Sequence, residues 1–316
     1  MNGETVMDRC TICGEREPIY TRAYSGESLC RRCFVHSIMR KVRATISKYG
    51  MFKHDDRIAV AVSGGKDSTA LLHVMAEIER RFPRSTLVAV TVDEGIKGYR
   101  DEALSIALEN SKLLGVEHIT VSFKELYGYT LDEIVEMSSG TQLTPCAICG
   151  VLRRRALNVA ARIAKAEKIA TAHNLDDEVQ TVILNIMHGD PFRIARAKPV
   201  LEPATAGFVR RVKPFCEIPE REVALYAYIK GIKFQDLPCP YAETALRNEI
   251  RNMLNRLEER HPGIKYAIFR SAERMRPYLE KALPELKMRR CVICGEPSVG
   301  EICQPCQILR DLKILE

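Results

Sequence analysis

The segment 57–81 constrains the fold more than any other part of this sequence. Its apolar run IAVAV predicts a buried strand over 57–62, and the loop SGGKDS then leads into a helix from 68 to about 81. Apolar residues at helical spacing give that helix one buried face: Leu71, Leu72, Met75 and Ile78. A strand, a glycine-containing loop and a helix in this order are typical of a βα unit in a parallel sheet.

The same alternation continues through the middle of the chain. Strands are predicted over about 86–92, 118–122 and 168–172, and helices over about 101–114, 149–165 and 176–188. After Pro214 the pattern is mostly helical, at about 220–230, 242–260 and 263–283. We therefore predict the α/β class, with a parallel sheet sandwiched by helices, a helical C-terminal extension, and ligands at the carboxyl ends of the strands.

The composition predicts a cytoplasmic protein without a membrane partner. No apolar run in the 316 residues approaches the roughly 20 that a membrane-spanning helix needs. The start, Met1 to Asp8, is polar and acidic, unlike a secretory signal. Twelve cysteines in the reducing cytoplasm indicate metal binding or catalysis rather than disulfides.

Eight of these cysteines form two CxxC…CxxC sets, one near each end of the sequence. The sets are Cys10, Cys13, Cys30 and Cys33, and Cys291, Cys294, Cys303 and Cys306. Four thiolates complete the tetrahedral coordination of Zn2+ and leave no open position. We predict a structural zinc ribbon at each end, with two Zn2+ in all; packed, metal-free cysteines are the alternative.

The loop SGGKDS has the residue types of a phosphate-binding site between a strand and a helix. Gly64 and Gly65 allow close backbone approach, Lys66 supplies charge, and Ser63 and Ser68 supply hydroxyl donors. The loop is not a Walker loop. In this context it resembles the PP-loop ATP pyrophosphatases, which adenylate a carbonyl oxygen and release pyrophosphate. Asp67 would then bind Mg2+ beside the phosphates.

A second polar cluster, 173–178, follows the strand predicted over 168–172 and should face the same sheet edge. Asp176 could cap the next helix, whereas Asp177 is the better candidate for metal binding or general acid/base chemistry. His173 is either a packed or a functional histidine.

A third cysteine pair, Cys146 and Cys149, stands alone in the middle of the chain. Two thiolates cannot close a zinc site, so the pair needs a further ligand or does redox or persulfide chemistry. Cys239, between two prolines, is the better partner, and Cys216 is predicted to be an inert buried thiol. Three thiolates are one short of the usual set for a four-iron cluster, which leaves one iron open.

Positive charge is concentrated in two segments. Residues 151–213 carry twelve Lys and Arg against six Asp and Glu, and residues 247–290 carry the same numbers. Solvated helix faces would account for either segment alone. Two such segments in a chain with a nucleotide site favour an RNA partner, because phosphate neutralisation provides most non-specific affinity.

These motifs together, over nearly the whole chain, resemble the tRNA 2-thiolation proteins. The resemblance rests on SGGKDS, DEGIKGYR (93–100), ELYG (125–128), CAIC followed by Gly150, Arg153 and Arg154, and HNxDD (173–177). It implies a [4Fe-4S] cluster on Cys146, Cys149 and Cys239. It also implies an ATP site formed by 63–68 with Val92, Asp93, Arg153, Ala172 and Asp177, although Ala172 replaces a glycine common in the family.

The implied reaction is adenylation of a tRNA uridine O2 by ATP, followed by sulfur transfer at C2, with Asp67, Asp177, Arg153 and the three cysteines as catalytic residues. DEGIKGYR, ELYG and Arg153 resemble the branch that acts on the wobble uridine. The segment 239–242 departs from that branch, and 257–259 with 262–263 resembles the enzymes of the T-loop uridine. The sulfur donor is either a ubiquitin-like thiocarboxylate carrier or free sulfide.

Two other functions remain open at this stage, namely a cluster-free PP-loop ligase and an RNA-binding adaptor. A homodimer through exposed ribbons is also an open alternative. The predicted domains are an N-terminal zinc ribbon (1–40), a PP-loop ATP pyrophosphatase domain (41–215), a helical extension with the third cluster cysteine (216–288) and a C-terminal zinc ribbon (289–316).

Overall fold

The computed structural model describes residues 9–201, 207–241, 246–283 and 288–315. Its strands are β1 (Tyr20–Thr21), β2 (Ser28–Leu29), β3 (Arg57–Ala61), β4 (Thr86–Asp93), β5 (Glu117–Ser122), β6 (Lys168–Ala170), β7 (Val200–Leu201), β8 (Arg210–Val212), β9 (Arg289–Arg290) and β10 (Pro297–Ser298). Its helices are α1 (Arg31–Lys48), α2 (Lys66–Glu79), α3 (Arg100–Leu114), α4 (Phe123–Tyr127), α5 (Leu131–Met137), α6 (Pro145–Ile163), α7 (Leu175–Met187), α8 (Pro191–Arg196), α9 (Glu220–Lys230), α10 (Leu246–Arg260), α11 (Ile264–Lys281) and α12 (Gln304–Asp311). Over these ranges, none of the helices has the length and apolar character to cross a membrane.

Six strands form the central sheet in the order β5-β4-β3-β6-β8-β7, and only β7 runs antiparallel to its neighbour. The middle strand β3 is apolar because helices cover the sheet, and its Ala59 and Val60 are fully buried. The predicted α/β class and the four predicted strands are confirmed. The sequence pattern does not predict β7 and β8, because both are short and β8 carries Arg210 and Arg211 instead of an apolar run.

Helix α6 begins at Pro145 rather than at about 149. The Thr144 side chain caps it by accepting a hydrogen bond from Ala147 N at 3.3 Å, and a proline at the first position has no N–H to satisfy. Cys146 and Cys149 therefore both lie at the start of α6. In the helix predicted over 242–260, residues 242–245 lie outside the described residues, and α10 begins at Leu246.

The helices after β8 pack back against the helices of the sheet. α9 contacts α2, and both α10 and α11 contact α7. Because α2 and α7 begin at the carboxyl edge of the sheet, this packing brings the start of α9 and the first half of α10 to the same edge.

The two terminal cysteine sets are built alike, from a short hairpin and the start of a helix. Strands β1 and β2 precede Cys30, which is the N-cap residue of α1, and Cys33 lies in the first turn. Strands β9 and β10 precede Cys303 and Cys306, which have the same positions in α12. The N-terminal ribbon packs through α1 on α9, and the C-terminal ribbon packs through α12 on α6.

A buried ion pair joins the N-terminal ribbon to α9. Arg22 Nε and Nη2 donate to the two carboxylate oxygens of Glu222 at 3.0 and 2.9 Å. Tyr24 also donates to Glu222, and Arg22 Nη2 donates to Ser37 Oγ at 2.7 Å. Neither charged side chain has appreciable contact with solvent. Removing Glu222 would leave the buried Arg22 with only the partly exposed Glu27, 2.9 Å away, as a charged partner.

We therefore expect Glu222→Ala to lower the free energy of unfolding by about 3–5 kcal/mol. Urea unfolding, followed by circular dichroism in zinc-containing reducing buffer, measures this loss. Glu109→Ala is the control, because it removes an exposed ion pair with Lys233 and should leave the unfolding midpoint nearly unchanged. Equal effects of the two substitutions would contradict the role of Glu222.

Candidate active site

The loop 63–68 connects β3 to α2 at the carboxyl edge of the sheet. Gly64 has a φ of +88°, and a Cβ there would lie 2.3 Å from the carbonyl oxygen of Ala103, so the position requires glycine. The Ser68 hydroxyl accepts a hydrogen bond from Ser63 N and donates one to Gly65 O, each at 3.0 Å. Gly65 caps α2 without a side-chain hydrogen bond, which leaves the first amides of α2 available. Such amides, at the positive end of the helix dipole, can bind phosphate.

Lys66 lies between two carboxylates. Its Nζ is 2.9 Å from Asp67 Oδ2 and 2.6 Å from Glu220 Oε1. The other oxygen of Asp67, Oδ1, is buried and has no hydrogen-bond partner among the described residues. Burial raises the pKa of Asp67, although Lys66 opposes the shift. A buried, unpartnered carboxylate oxygen beside a phosphate loop fits the predicted Mg2+ ligand, since Mg2+ prefers oxygen donors.

The cluster 173–178 follows β6 at the same edge, as expected, but one interpretation of it is wrong. The N-cap of α7 is Asn174 and not Asp176: Asn174 Oδ1 accepts from Asp177 N at 3.1 Å, and Asp177 Oδ2 accepts from Asn174 N at 3.2 Å. Asp176 lies inside the first turn, where it is buried, pairs with Lys265 and accepts from Glu220 N at 2.8 Å. Its role is to hold α9 and α11 against α7.

Asp177 and His173 line the cleft between these elements. Desolvation raises the pKa of Asp177 to about 6, despite the opposing effects of Asn174 N–H and of Arg247, whose Nη1 lies 3.7 Å from Asp177 Oδ1. Desolvation and the nearby charges of Lys213 and other cations lower the pKa of His173 to about 3. The His173 side chain is solvent-accessible at the cleft and so is not packed in the core.

The remaining predicted ATP-binding residues lie along this edge because β4, β3 and β6 are adjacent. Val92 O accepts from Arg100 Nη2 at 2.6 Å, and Asp93 Oδ1 accepts from Gly95 N at 2.9 Å at the end of β4. Ala172 follows β6 and is half-buried. Arg153, on α6, lies with Nη1 3.6 Å from Glu94 Oε1. ATP binding by these residues stays a prediction.

Cys146, Cys149 and Cys239 lie next to Arg153. Cys146 Sγ is 3.2 Å from Tyr241 O, which joins the start of α6 to the loop that carries Cys239. Burial raises the pKa of Cys149 to about 11, with Arg153 opposing and the other two thiols reinforcing the shift. Burial likewise raises the pKa of Cys239. The three thiols are thus close enough to influence one another's charge.

The donor set of these three cysteines fits a cluster better than a single ion. In each terminal set the four sulfurs lie within 4.8 Å of one another, whereas in the described part of the chain Cys146, Cys149 and Cys239 do not form such a set. A multi-iron cluster has its irons at separate corners, so its thiolates stand farther apart than ligands of one ion. Cys216 lies elsewhere, fully buried in the core beside Phe215, and stays predicted to be inert.

The terminal sets have the geometry of structural metal sites. Their compactness suits four-thiolate coordination of Zn2+. Burial raises the pKa of Cys291, but backbone hydrogen bonds from Cys303, at 3.3 Å, and its neighbours lower it to about 6 overall. Arg155 Nη1 donates to Cys306 Sγ at 3.7 Å, which links the C-terminal ribbon to α6.

The structure adds residues that the sequence did not single out as site residues, namely Glu94, Arg100, Glu220, Arg247 and Arg251. Arg247 and Arg251 lie one turn apart on α10. Arg251 lowers the pKa values of Asp67 and Glu220, and its Nε is buried without a hydrogen-bond partner among the described residues. The i and i+4 spacing of these two arginines in a predicted helix places them on one face of that helix. The neighbouring sequence does not indicate which surface of the protein this face contacts.

Comparison with known proteins identifies the family to which this chain belongs. A family model described as a PP-loop domain matches residues 35–258, and one described as the N-terminal LIM domain of the 2-thiouridine synthetase TtuA matches residues 9–35. A probable sulfurtransferase of Methanocaldococcus jannaschii is 38% identical over 95% of this chain and 87% of its own length. Cytoplasmic tRNA 2-thiolation protein 1 of Chlamydomonas reinhardtii is 38% identical over 96% of this chain and 84% of its own.

A solved structure extends the likeness to three dimensions. The U34-tRNA thiolase NcsA from Methanococcus maripaludis, determined with its [4Fe-4S] cluster, is 37% identical, covers 99% of both chains and has a TM-score of 0.85. The fold and the phosphate loop make this chain a PP-loop protein. Within that class it belongs to the family of the tRNA 2-thiolation proteins, which confirms the resemblance drawn from its motifs.

The pKa of Asp177 makes stability depend on pH. Because the folded protein holds this proton more tightly than the unfolded chain does, ionisation of Asp177 costs stability as pH rises from about 4 to about 6. Asp177→Asn keeps an acceptor for Asn174 N and removes the charge. In protein free of Mg2+ and nucleotide, we expect it to raise the free energy of unfolding by about 1–3 kcal/mol at pH 8 and by less at pH 5.

Thermal unfolding between pH 5 and 8 measures the effect, with Asp55→Asn at an exposed turn as the control. A gain that is independent of pH, or a loss at pH 8, would contradict the raised pKa of Asp177.

Proposed function

We propose that this protein 2-thiolates tRNA in an ATP-dependent reaction, at the wobble uridine of the anticodon. The observation that carries the proposal is that a phosphate loop and a group of three thiols lie at one edge of the sheet. The phosphate loop with the unpartnered Asp67 oxygen lies there, and Cys146, Cys149 and Cys239 lie next to Arg153 on the same side. Phosphate binding serves adenylation, and a thiolate-rich site serves sulfur transfer. The names of the relatives support the same reaction.

In the first step the amides of α2 and Lys66 bind the phosphates of ATP. The uridine O2 attacks the α-phosphorus, and the bond to pyrophosphate breaks as the new O–P bond forms. Lys66 would then pair with phosphate oxygens instead of with Asp67 and Glu220, so both carboxylates would become available. Asp67 and Asp177 would hold Mg2+, which would neutralise the charge of the departing pyrophosphate.

In the second step sulfur replaces the adenylate at C2, and AMP leaves. A [4Fe-4S] cluster on three cysteines would supply the sulfide from the iron that has no protein ligand. Cys146, Cys149 and Cys239 would hold that cluster. Arg153, with Glu94 beside it, provides positive charge between the thiolates and the phosphates, where negative charge builds up.

The wobble uridine is favoured by two observations. The structural neighbour is titled a U34-tRNA thiolase, and the motif 93–100 that resembles the wobble branch shapes the site. Arg100 pairs with Glu94 at 2.8 Å and donates to Ser63 O at 3.0 Å, so it joins the end of β4 to the phosphate loop. The T-loop uridine is the second candidate because the segment 239–242 departs from the wobble branch.

Several accompanying features belong to the same proposal. Each terminal cysteine set holds a structural Zn2+, the protein acts in the cytoplasm, and the sulfur comes from a ubiquitin-like thiocarboxylate carrier or from free sulfide. The division into ribbon, PP-loop domain, helical extension and second ribbon, at 1–40, 41–215, 216–288 and 289–316, is kept as proposed.

We expect Cys146→Ala, Cys149→Ala and Cys239→Ala each to abolish thiolation, because each removes a cluster ligand. Iron and acid-labile sulfide, assayed after anaerobic purification, should fall with the activity. Cys216→Ala is the matched control and should retain both. Zinc content should be unchanged in all four variants. Full activity of the Cys239 variant would exclude the cluster assignment.

Position mapping by mass spectrometry of tRNA nucleosides, from cells that lack the protein, tests the substrate. We expect 2-thiouridine derivatives to disappear from the wobble position and to return on complementation. Loss at the T-loop position instead would support the second candidate. Unchanged thiolation at both positions, with pyrophosphate still released from ATP in the presence of tRNA, would favour a cluster-free PP-loop ligase.

A further inference from the structure

A cavity of about 740 Å³ lies between α6, β8 and the C-terminal ribbon, outside the ATP edge. Residues from all three elements line it, among them Arg154, Asn158, Phe208, Arg211, Pro297 and Val299. Its volume is in the range of pockets that hold a small organic ligand.

The side chains of two arginines in this cavity have no hydrogen-bond or ion-pair partner among the described residues. The Arg154 side chain is exposed, whereas Arg211 Nε is buried without an acceptor. Desolvation, with the like charge of Arg154, lowers the pKa of Arg211 to about 10. One carboxylate, Glu296, also lines the cavity, but it is paired with Arg162. Two unpaired guanidinium groups that repel each other favour an anionic ligand.

The remaining walls suit an aromatic ring. Phe208 and Val299 are 40% and 55% exposed, although they are large and apolar, and Pro297 stands beside them in the lining. Exposed apolar side chains next to unpaired arginines match a ligand that joins a planar base to a phosphate, because bases stack on apolar faces and guanidinium groups bind phosphate.

Positive charge extends from the cavity to the catalytic cleft. Arg154 follows Arg153 on α6, and the charges of Arg153 and Arg211 both act on His173, at the end of β6. An anion that reaches from the cleft into the cavity would meet arginines along the way. A strand of RNA has this shape and charge, with one phosphate per nucleotide.

On the basis of the proposed function, we propose that this cavity binds a nucleotide of the substrate RNA next to the uridine in the catalytic cleft. The phosphate lies between Arg154 and Arg211, and the base lies against Phe208 and Val299. The cavity therefore contributes affinity for RNA without taking part in the chemistry.

The test uses the holoenzyme and a fluorescein-labelled tRNA transcript with uridine at the wobble position. Fluorescence anisotropy gives the Kd at several salt concentrations for the wild type, for Arg154→Gln with Arg211→Gln, and for a control with Arg84→Gln and Lys112→Gln. The control makes the same change in charge at exposed residues near the amino end of the sheet. We expect the cavity variant to bind tRNA about tenfold more weakly than the wild type. The slope of log Kd against log salt concentration should fall by about one, because one phosphate contact is lost, and the control should match the wild type.

A second variant separates the base from the phosphate. Phe208→Ala removes the ring against which the base lies without changing charge, so it should weaken RNA binding and leave the salt slope unchanged. Wild-type affinity and slope in both cavity variants would overturn the proposal. Unchanged RNA binding, with loss of binding to a ubiquitin-like carrier protein, would overturn it in favour of a protein docking site.

The same assay separates this proposal from the proposed function. Weaker RNA binding in the cavity variants, in an enzyme that does not thiolate any uridine, would sustain the cavity and reject thiolation. Normal thiolation by the wild type, with no effect of the variants on RNA binding, would reject the cavity alone.

Discussion

The parallel pairing of β3 with β4 and β6 is the constraint on which the site depends. These strands come from segments far apart in the chain, and their common direction brings the loop 63–68, the end of β4 and the segment after β6 to one edge. A buried ion pair between Asp56 and Lys168 joins β3 and β6 at the opposite edge. Because a buried charge without its partner is costly, this pair favours the register that aligns the two strand ends.

Charge balance is the second constraint, and it explains why the helical extension belongs to the site. Lys66 is held by Asp67 and Glu220, and Glu220 begins α9. Asp176 binds Lys265 of α11, and Arg247 of α10 approaches Asp177. Without ATP these charges largely satisfy one another. Under the proposed function, bound phosphates and Mg2+ would compete for these charged groups, so nucleotide binding would be coupled to the packing of α9, α10 and α11.

The features that could be predicted from the sequence are those determined by residues close together in the chain. The glycine loop, the buried strand before it and the two terminal cysteine sets are recognisable because each motif contains its own physical reason. Partners distant in the chain were not predictable: Glu220 lies more than 150 residues from Lys66 and has no local feature that marks it. The alternative that Asp176 caps the helix is wrong because Asn174, two residues earlier, is an equally good cap, and only the start of α7 decides between them.

The cysteines show why spacing alone does not define a metal site. Cys146 and Cys149 have the CxxC spacing of the terminal pairs, and they lie at a helix start, as Cys303 and Cys306 do. A hairpin faces the helix in each ribbon and brings four sulfurs within 4.8 Å of one another. Opposite Cys146 there is instead an irregular loop with a single cysteine, Cys239, while Cys146 itself is exposed. Three thiolates cannot complete the four-thiolate site of a ribbon, and their number matches the protein ligands of the proposed cluster. The described residues around Cys239 thus explain why the same cysteine spacing gives a compact four-sulfur set at the two ends but not at Cys146.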